Sequence, residues 1–220
     1  MPIQIDVYAD IACPWCYIGE QRLQRAMGER PDLDAERRWR PFQLQPQMPP
    51  EGRDWQEFAE RKFGGPDRME TAFEQVAEAG EDVGLDFRFD RVVSAPNTTD
   101  AHRLVLWAAG DGRAWPMAEA LFRAYFTGGR DLNDTDDLAA VVEEADLDPE
   151  AARTFLATNE HAEAVEASQR EAKRRGVTGV PFYVFNDEFG VSGAQPAEVF
   201  QRAFDEAQSS SSDAATASAA

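Results

Sequence analysis

The chain has 220 residues, of which 43% are hydrophobic and 29% are charged, and its formal net charge is -19. That length is sufficient for one well-filled core, or for one domain that carries a large insertion. The sequence contains no apolar run of the roughly 20 residues that a membrane helix needs, and an acidic surface repels nucleic acid and anionic membranes. We therefore expect a soluble protein that binds neither nucleic acid nor a membrane.

The 41 acidic residues, against 22 basic ones, are spread along the whole chain rather than grouped in one run. We interpret them as a solvated acidic shell, which keeps a protein soluble in concentrated salt because salt screens its self-repulsion. A halophilic source is the resulting hypothesis, and an acidic face for a partner is the alternative.

The N-terminus, MPIQIDVYADIACPW, lacks the basic start, apolar stretch and small-residue cleavage site of a secretory signal. We therefore expect a cytoplasmic protein. In a reducing compartment, two cysteines that are close in sequence are more often catalytic or metal-binding than joined in a structural disulfide.

The start of the chain predicts a strand, a helix and a second strand. Residues 3–8 are a β-rich run, and apolar residues then recur at helical spacing over residues 16–27, with Pro14 suited to the first turn. Residues 37–44 are aromatic-rich and are interpreted as the second strand, although Pro41 breaks their alternation. These elements predict a βαβ unit with a parallel pair of strands.

From about residue 54 to residue 175 the apolar residues follow helical spacing in one segment after another. Residues 85–89, which are apolar at alternate positions, are expected to be an extended interruption. Residues 148–150 have the sequence of a helix cap and first turn, and we expect that last helix to continue to residue 175 with a bend.

After Gly176 the sequence returns to β-type patterns. VPFYVF and FGVSG are strand candidates separated by a turn at Asn186, and Pro196 begins a helix. Residues 208–220 are of low complexity and are expected to be disordered. The order predicts an α/β fold in which both ends of the chain share one small mixed sheet and the helices pack as an inserted domain.

Residues 13–16, CPWC, contain both cysteines of the chain. A structural zinc site needs four ligands, and only His102 and His161 remain as nitrogen ligands, each distant in sequence, so we expect no metal. Ordinary buried cysteines are a second interpretation, since cysteine packs well. Against it, Cys13 precedes the first helical turn, where we expect it at an exposed strand–helix junction.

The third interpretation is a redox pair, because residues i and i+3 at a helix start can form a disulfide without unwinding the helix. Unpaired backbone N–H groups and the helix dipole favour a thiolate at Cys13, which we expect to be the nucleophile. Cys16, on the apolar face, is expected to be the shielded thiol that resolves the mixed disulfide. We expect no bound cofactor beyond this redox-active Cys13–Cys16 disulfide.

GVPFYVF contributes a second part of the candidate site. Because Pro181 has no N–H, the entry to this strand leaves the Val180 backbone free to pair with another segment. From spacing alone, a cis and a trans Val180–Pro181 bond are equally compatible with the sequence. Trp15, between the cysteines, is expected to be exposed as a flat apolar contact for a substrate, or else to pack under the helical domain.

Four motifs together resemble the DsbA-like thioredoxin-fold proteins of the FrnE group, over residues 1 to about 207. They are CPWCYIGE after the first strand, WRPFQL as the second strand, NTTDAHRL in the helical part, and GVPFYVF followed by GVSGAQP. The resemblance implies a thioredoxin-like fold, with residues 1–50 and 176–207 as the thioredoxin-like domain and residues 51–175 as an inserted α-helical domain.

The same resemblance implies roles for individual residues. Cys13 is the nucleophile, and the Val180–Pro181 bond is cis and faces the disulfide. The Val180 backbone then grips an extended substrate segment by strand addition.

Kappa-class glutathione transferases and 2-hydroxychromene-2-carboxylate isomerases are similar over the same span. They include an asparagine in a motif like PNTTDAHRL, but carry a serine where this chain has Cys13. Because Cys13 and Cys16 are both present, we favour thiol–disulfide exchange over a glutathione-dependent reaction. Asn97 and His102 are candidate cleft residues, and the alternatives are a helix cap for Asn97 and a packed surface position for His102.

We therefore expect an enzyme that exchanges disulfides with client proteins or small molecules and is reset by a cellular reductant, with glutathione or another thiol as co-substrate. The cysteine pair is compatible with reduction, oxidation and isomerisation, and the sequence assigns no oligomeric state. Two alternatives stay open: a glutathione-dependent isomerase or transferase, and a chaperone-like binding module that uses the helical domain and Trp15.

Overall fold

The computed structural model of the protein describes residues 2–218, with side chains described up to residue 210. In chain order the elements are β1 (Ile3–Ala9), α1 (Pro14–Gly28), β2 (Ala35–Pro41), β3 (Arg53–Asp54), α2 (Trp55–Phe63), α3 (Pro66–Glu81), a 3-10 turn (Phe89–Arg91), β4 (Ser94–Ala95), α4 (Thr99–Ala109), α5 (Ala114–Phe126), α6 (Thr135–Glu144), α7 (Pro149–Leu156), α8 (Ala162–Arg174), β5 (Phe182–Phe185), β6 (Phe189–Ser192) and α9 (Ala197–Ser218). Within residues 2–218, no helix is both long enough and apolar enough to cross a membrane.

The main sheet has four strands in the order β2-β1-β5-β6. β1 pairs in parallel with β2 and antiparallel with β5, and β5 pairs antiparallel with β6. The two ends of the chain therefore share one mixed sheet, with α2 to α8 inserted in sequence between β2 and β5. This is the thioredoxin-like fold with a helical insertion that the sequence predicts.

β1, with the sequence IQIDVYA, is buried at every position but Gln4, and its buried Asp6 forms ion pairs with Arg38 and Arg40 of β2. Ile5 and Val7 belong to the large core cluster, which also contains residues of α1, α5 and α9. Tyr8 belongs to a smaller cluster with Ala172 of α8 and Val184 of β5. Alternate side chains of β1 thus pack into separate hydrophobic clusters on the two faces of the sheet. Full burial of one such side chain, for example Ile5, stabilises the fold by ~1.5–3 kcal/mol.

Residues 85–88 interrupt the helices, as predicted from their alternation, without pairing into a sheet, and Phe89 begins a 3-10 turn. The rings of Phe87 and Phe89 stack with centroids 5.4 Å apart, and Phe89 stacks on Phe73 of α3 at 4.4 Å. The apolar residues at alternate positions thus place their rings on one side of the segment, against α3.

The helix predicted over residues 148–175 is two helices, α7 and α8. The chain between them is stabilised by Arg103 of α4, which is 4% exposed. Its guanidinium donates hydrogen bonds to three backbone oxygens around the end of α7, those of Phe155, Thr158 and Glu160. These carbonyls therefore have partners outside a helix, and His161 takes a φ of 63° before α8 begins.

α9 continues to Ser218, whereas the composition predicted a disordered tail from residue 208. The helix that starts at Ala197 is anchored by the buried residues Ala203, Phe204 and Ala207, and extension of an existing helix adds one backbone hydrogen bond per residue. Residues 219–220 of the predicted tail lie outside the described residues.

Candidate functional site

Cys13 lies where the chain turns from β1 into α1. Its N–H donates to the carbonyl of Asp10 at 3.0 Å, and its own carbonyl accepts the N–H of Cys16 at 3.0 Å. With φ -106° and ψ 109° it is the N-cap residue, and Pro14 follows in the first turn. As the sequence predicts, Cys13 is therefore at the positive end of a 15-residue helix.

Both cysteines are free thiols and both are buried. Cys13 is 4% exposed and Cys16 is 2% exposed, so the prediction that Cys13 lies at an exposed junction is wrong. The antiparallel register, which pairs Tyr8 of β1 with Phe182 of β5, brings the segment before β5 to the end of β1. That segment covers Cys13.

The thiol of Cys13 faces the backbone of Val180. Its Sγ lies 3.7 Å from the Val180 carbonyl oxygen, to which the thiol donates a weak hydrogen bond. The Val180–Pro181 bond is cis, which confirms the expectation drawn from the resemblance. The Pro181 carbonyl accepts the N–H of Gly193 at 2.8 Å, so the contact segment is held by the end of β6.

Cys16 lies one turn into α1, on its buried face. Burial raises the pKa of the Cys16 thiol well above its ordinary value, and the hydrogen bond with Cys13 raises it further. Burial acts in this direction because it disfavours the charged form. Cys16 is therefore a protonated thiol at neutral pH when the pair is reduced.

Asp10 is a buried carboxylate in the turn that leads to Cys13, and its exposed fraction is 1%. Its Oδ1 accepts the N–H of Ala12 at 3.3 Å, and its Oδ2 accepts the N–H of Leu44 at 2.7 Å. Asp10 thus holds the shape of the turn and connects it to the chain after β2. Sequence analysis did not single out this residue, although an aspartate at the end of an apolar strand is a signal for such a turn.

His102 of α4 has no exposed surface, so neither expectation for it, a cleft or a packed surface position, is correct. Its Nδ1 accepts the indole N–H of Trp39 at 3.3 Å. Since an indole only donates, the imidazole proton is assigned to Nε2. That Nε2 lies 3.2 Å from the Phe42 carbonyl and 3.4 Å from Asp10 Oδ1, so His102 reaches the site through Asp10.

Asn97, the other candidate cleft residue, lies one residue before Thr98, the N-cap of α4. Its Oδ1 accepts the N–H of Thr99 at 3.0 Å at the start of α4, and its side-chain amide donates to the Met48 carbonyl at 2.7 Å. Asn97 thus attaches the start of α4 to the loop after β2.

Glu20 is a buried acid that sequence analysis missed, four residues after Cys16 on α1. It is 6% exposed and forms a close ion pair with Arg37 of β2. Its Oε2 has no hydrogen-bond partner among the described residues. Burial raises the pKa of Glu20 to about 7, although the charge of Arg37 opposes the shift. An acid at i+4 from a buried cysteine on an otherwise apolar helix face was the available signal.

Tyr183 of β5 is fully buried, and its hydroxyl has no hydrogen-bond partner among the described residues. The hydroxyl lies against α1, because a Cβ built on Gly19 would be 2.3 Å from it. Burial raises the pKa of Tyr183, and nearby Glu20 and Cys16 raise it further. A neutral phenol therefore lies among the buried ionisable groups of α1.

A cavity of about 340 Å³ lies beside Cys13, between the turn at residues 10–13, the redox turn, and the helices α2 and α3. Pro14, Trp15 and Val180 line it on the same side as Cys13. Trp15 is 39% exposed, in agreement with the prediction that its ring is accessible. The volume is within the range of small-molecule sites, so a reactant could reach Cys13 through this cavity.

Comparisons with known proteins agree with this geometry. The DSBA-like thioredoxin domain family matches residues 4–205. A probable DsbA oxidoreductase of Streptomyces coelicolor is 33% identical, with a TM-score of 0.87, over 94% of this chain and 90% of that one.

Two further solved structures share the fold at lower identity. The cytosolic disulfide reductase DsbM of Pseudomonas aeruginosa, solved with GSH, is 23% identical, with a TM-score of 0.64, over 93% of this chain and 98% of that one. A 2-hydroxychromene-2-carboxylate isomerase is 18% identical, with a TM-score of 0.69, over 96% of this chain and 98% of that one.

Proposed function

Because the chain belongs to the DSBA-like thioredoxin domain family, we propose that it is a thiol–disulfide oxidoreductase whose redox pair is Cys13 and Cys16. One observation supports the proposal most directly: the Cys13 thiol is at the N-terminus of α1, 3.7 Å from the Val180 carbonyl and beside a cavity. Exchange requires a thiol whose thiolate is favoured and which a disulfide can reach.

In the first step Cys13 is the nucleophile. Its position at the N-terminus of α1 places it at the positive end of the helix dipole, beside the cavity from which a disulfide would approach. The thiolate attacks one sulfur of a disulfide R–S–S–R′ and forms a Cys13–S–S–R mixed disulfide. The second half leaves as the thiolate R′–S⁻, which takes up a proton according to its own pKa.

In the second step Cys16 resolves the mixed disulfide. Its sulfur attacks the sulfur of Cys13 and its proton passes to the leaving group, so that R–SH is released and a Cys13–Cys16 disulfide remains. Two electrons have then passed from the protein to the substrate. Because burial raises the pKa of Cys16, Cys16 remains a thiol while Cys13 makes the first attack, and this separates the roles of the two thiols.

Val180 and Pro181 form the wall of the site opposite the cysteines. In the proposed complex an extended substrate segment pairs with the Val180 backbone by strand addition. Trp15, which is partly exposed and lines the cavity, would contact the apolar part of that substrate.

The partners of this reaction are a client disulfide, on a protein or a small molecule, and a thiol reductant that reopens Cys13–Cys16. Since the DsbM structure was solved with GSH, glutathione is the first reductant to test. We propose a cytoplasmic location, where such a reductant is abundant. No bound cofactor takes part, because the Cys13–Cys16 disulfide carries the electrons.

A glutathione-dependent isomerase or transferase is the second candidate. The fold shared with a 2-hydroxychromene-2-carboxylate isomerase and the cavity beside Cys13 favour it. Such an enzyme uses the sulfur of bound glutathione and has no need of a resolving thiol, so its turnover would survive Cys16→Ser. Disulfide exchange that ends in a Cys13–Cys16 disulfide would be lost in the same variant.

Equilibration with defined ratios of reduced and oxidised glutathione tests the proposed function, with the cysteine state read by alkylation and mass spectrometry. We expect reversible conversion between the dithiol and the Cys13–Cys16 disulfide, at a potential between about -270 and about -120 mV, the range of known protein pairs. Oxidation that yields only stable glutathione adducts, or no disulfide at any ratio, would contradict the proposal.

A further inference from the structure

The cavity beside Cys13 has an aromatic wall on the side of the helices. Trp55, Phe58 and Phe63 of α2 and Phe73 of α3 all line it. Each of these side chains is only partly covered, and Trp55 and Phe73 are stacked with ring centroids 5.7 Å apart. Ring surface is therefore available to a bound group rather than used up in the core.

The size of the cavity limits what can enter. An apolar cavity of ~150 Å³ holds benzene, so about 340 Å³ has room for one substituted aromatic ring. A tripeptide thiol such as glutathione carries two carboxylates and an amine, and an apolar wall would leave these groups without hydrogen-bond partners. The cavity therefore favours a compact aromatic group over the polar arms of glutathione.

The charges that line the cavity add a second criterion. Lys62 is the only cationic side chain among its described lining residues, and its Nζ lies 5.7 Å from the ring centroids of both Phe58 and Phe63. Asp10 is the only acidic side chain there, and both of its oxygens already accept backbone N–H groups. Although the chain has a net charge of -19, the Lys62 ammonium group is therefore the charge in this cavity that attracts an anionic substituent on a ligand.

We propose that the cavity selects low-molecular-weight disulfides in which an aromatic ring bears a carboxylate. This proposal rests on the exchange function of Cys13 and Cys16 and names its substrate class. The ring lies against Trp55 and Phe73, its carboxylate is near Lys62, and its sulfur is attacked by Cys13. The reduced protein supplies both electrons, the substrate leaves as two thiols, and an external thiol must then reduce Cys13–Cys16.

Single-turnover kinetics with four probes test the selection. The probes are bis(4-carboxybenzyl) disulfide, 3,3′-dithiodipropionate, bis(2-hydroxyethyl) disulfide and oxidised glutathione. Each rate constant for oxidation of the reduced protein is divided by the rate constant of the same probe with free dithiothreitol, which removes differences in intrinsic reactivity. We expect the aromatic acid to react about tenfold faster than dithiodipropionate on this scale, as burial of one ring would give.

Two pairs of variants locate the effect. Ala72 and Ala77 are both on α3, but only Ala72 lines the cavity, so Ala72→Phe fills it and Ala77→Phe is the matched control. Lys62→Gln removes the lining cation, and Lys173→Gln, at the only other lysine of the chain, is its control. Ala72→Phe should reduce the ratio of the normalised rate constants of the aromatic and aliphatic probes to near one. Lys62→Gln should lower the normalised rate constant of the aromatic carboxylate probe more than that of its neutral methyl ester.

The outcomes separate this proposal from the function on which it rests. Exchange at equal normalised rates with all four probes, or a ratio unchanged by Ala72→Phe, would overturn the selection while leaving the oxidoreductase intact. A further probe is a peptide disulfide in which aromatic residues flank the cysteine. If its normalised rate constant exceeds that of the aromatic acid, the proposed selection is wrong, because the cavity would then bind polypeptides. Absence of exchange with every probe would instead contradict the proposed function.

Discussion

His102 accepts the indole N–H of Trp39 on Nδ1 at 3.3 Å, which directs its Nε2–H toward Asp10 and the Phe42 carbonyl. His102 comes from α4, Trp39 from β2, and Asp10 from the turn that carries Cys13. The buried hydrogen bonds therefore attach the helical insertion to the sheet at the point where the redox turn begins. If the imidazole were removed, the buried Trp39 indole N–H would lose its hydrogen-bond partner, and Asp10 would keep only the backbone N–H groups of Ala12 and Leu44.

The first prediction concerns this imidazole. His102→Leu should lower the free energy of unfolding by about 2–4 kcal/mol, because it leaves the Trp39 indole and Asp10 with fewer partners. His102→Gln should cost less, since its amide can both accept and donate. Urea unfolding measures both. His161→Asn, at the other histidine and at a φ that asparagine tolerates, is the control and should stay within about 0.5 kcal/mol. Equal losses for His102→Leu and the control would refute the bonding pattern.

The second prediction follows from Glu20, whose pKa is raised from 4.5 to about 7 in the folded protein. Between these values the folded state keeps a proton that the unfolded state has lost, so the contribution of Glu20 to stability falls as the pH rises through this window. Above pH 7 both states are ionised and the loss is complete, at about 3 kcal/mol.

Unfolding measured from pH 4.5 to 7.5 tests the Glu20 prediction. Relative to Glu20→Gln, the wild-type protein should lose stability by up to about 3 kcal/mol across that range. Glu29→Gln, which removes a negative charge adjacent to the exposed end of the same helix, is the matched control. A wild-type minus Glu20→Gln difference that is constant with pH would show that the carboxyl is not buried as described.

The third prediction uses the close approach of α1 to β5. A Cβ at Gly19 would be 2.3 Å from the Tyr183 hydroxyl and 3.0 Å from Pro181, whereas one at Gly28 of the same helix meets nothing within 4 Å. Gly19→Ala should therefore destabilise the protein by about 1–3 kcal/mol through overpacking, and Gly28→Ala should be neutral or slightly stabilising. Thermal unfolding of both variants checks this. A Gly19→Ala protein as stable as Gly28→Ala would mean that Tyr183 is not against this helix.

The fourth prediction addresses the net charge of -19. If the acidic shell is an adaptation to salt, self-repulsion destabilises the folded state in dilute buffer and is screened as ionic strength rises. The midpoint of thermal unfolding should increase from dilute buffer to molar potassium chloride. A flat or decreasing midpoint over that range would remove the halophilic hypothesis.

The signals that predicted the site were local in sequence. The position of Cys13 at the start of α1 was predicted because a strand followed by a helix is recognisable from a dozen residues, and the cis bond before Pro181 because its motif resembles a known one. The burial of Cys13 was missed because its cover comes from Val180, 167 positions along the chain. No local pattern encodes that contact, which depends on the register of β1 with β5.

The buried polar groups were missed for the same physical reason. Glu20 meets Arg37 only after β2 has paired with β1, and Tyr183 meets α1 only after β5 has joined the sheet. In the fold, the four strands of the main sheet and most helices follow from periodicity, but β3 and β4 do not, because strands of two residues are too short to show a period.

The measurement that tests the central claim most directly is covalent trapping with a disulfide probe, read by intact mass and peptide mapping. In Cys16→Ser the mixed disulfide has no resolving thiol, so close to one adduct per chain should accumulate, attached to Cys13. Wild-type protein should end as the Cys13–Cys16 disulfide without adduct, and Cys13→Ser should acquire almost none, because burial keeps Cys16 protonated. Equal adducts on both single variants, or an adduct mapped to Cys16 in Cys13→Ser at the same rate, would contradict the assigned roles.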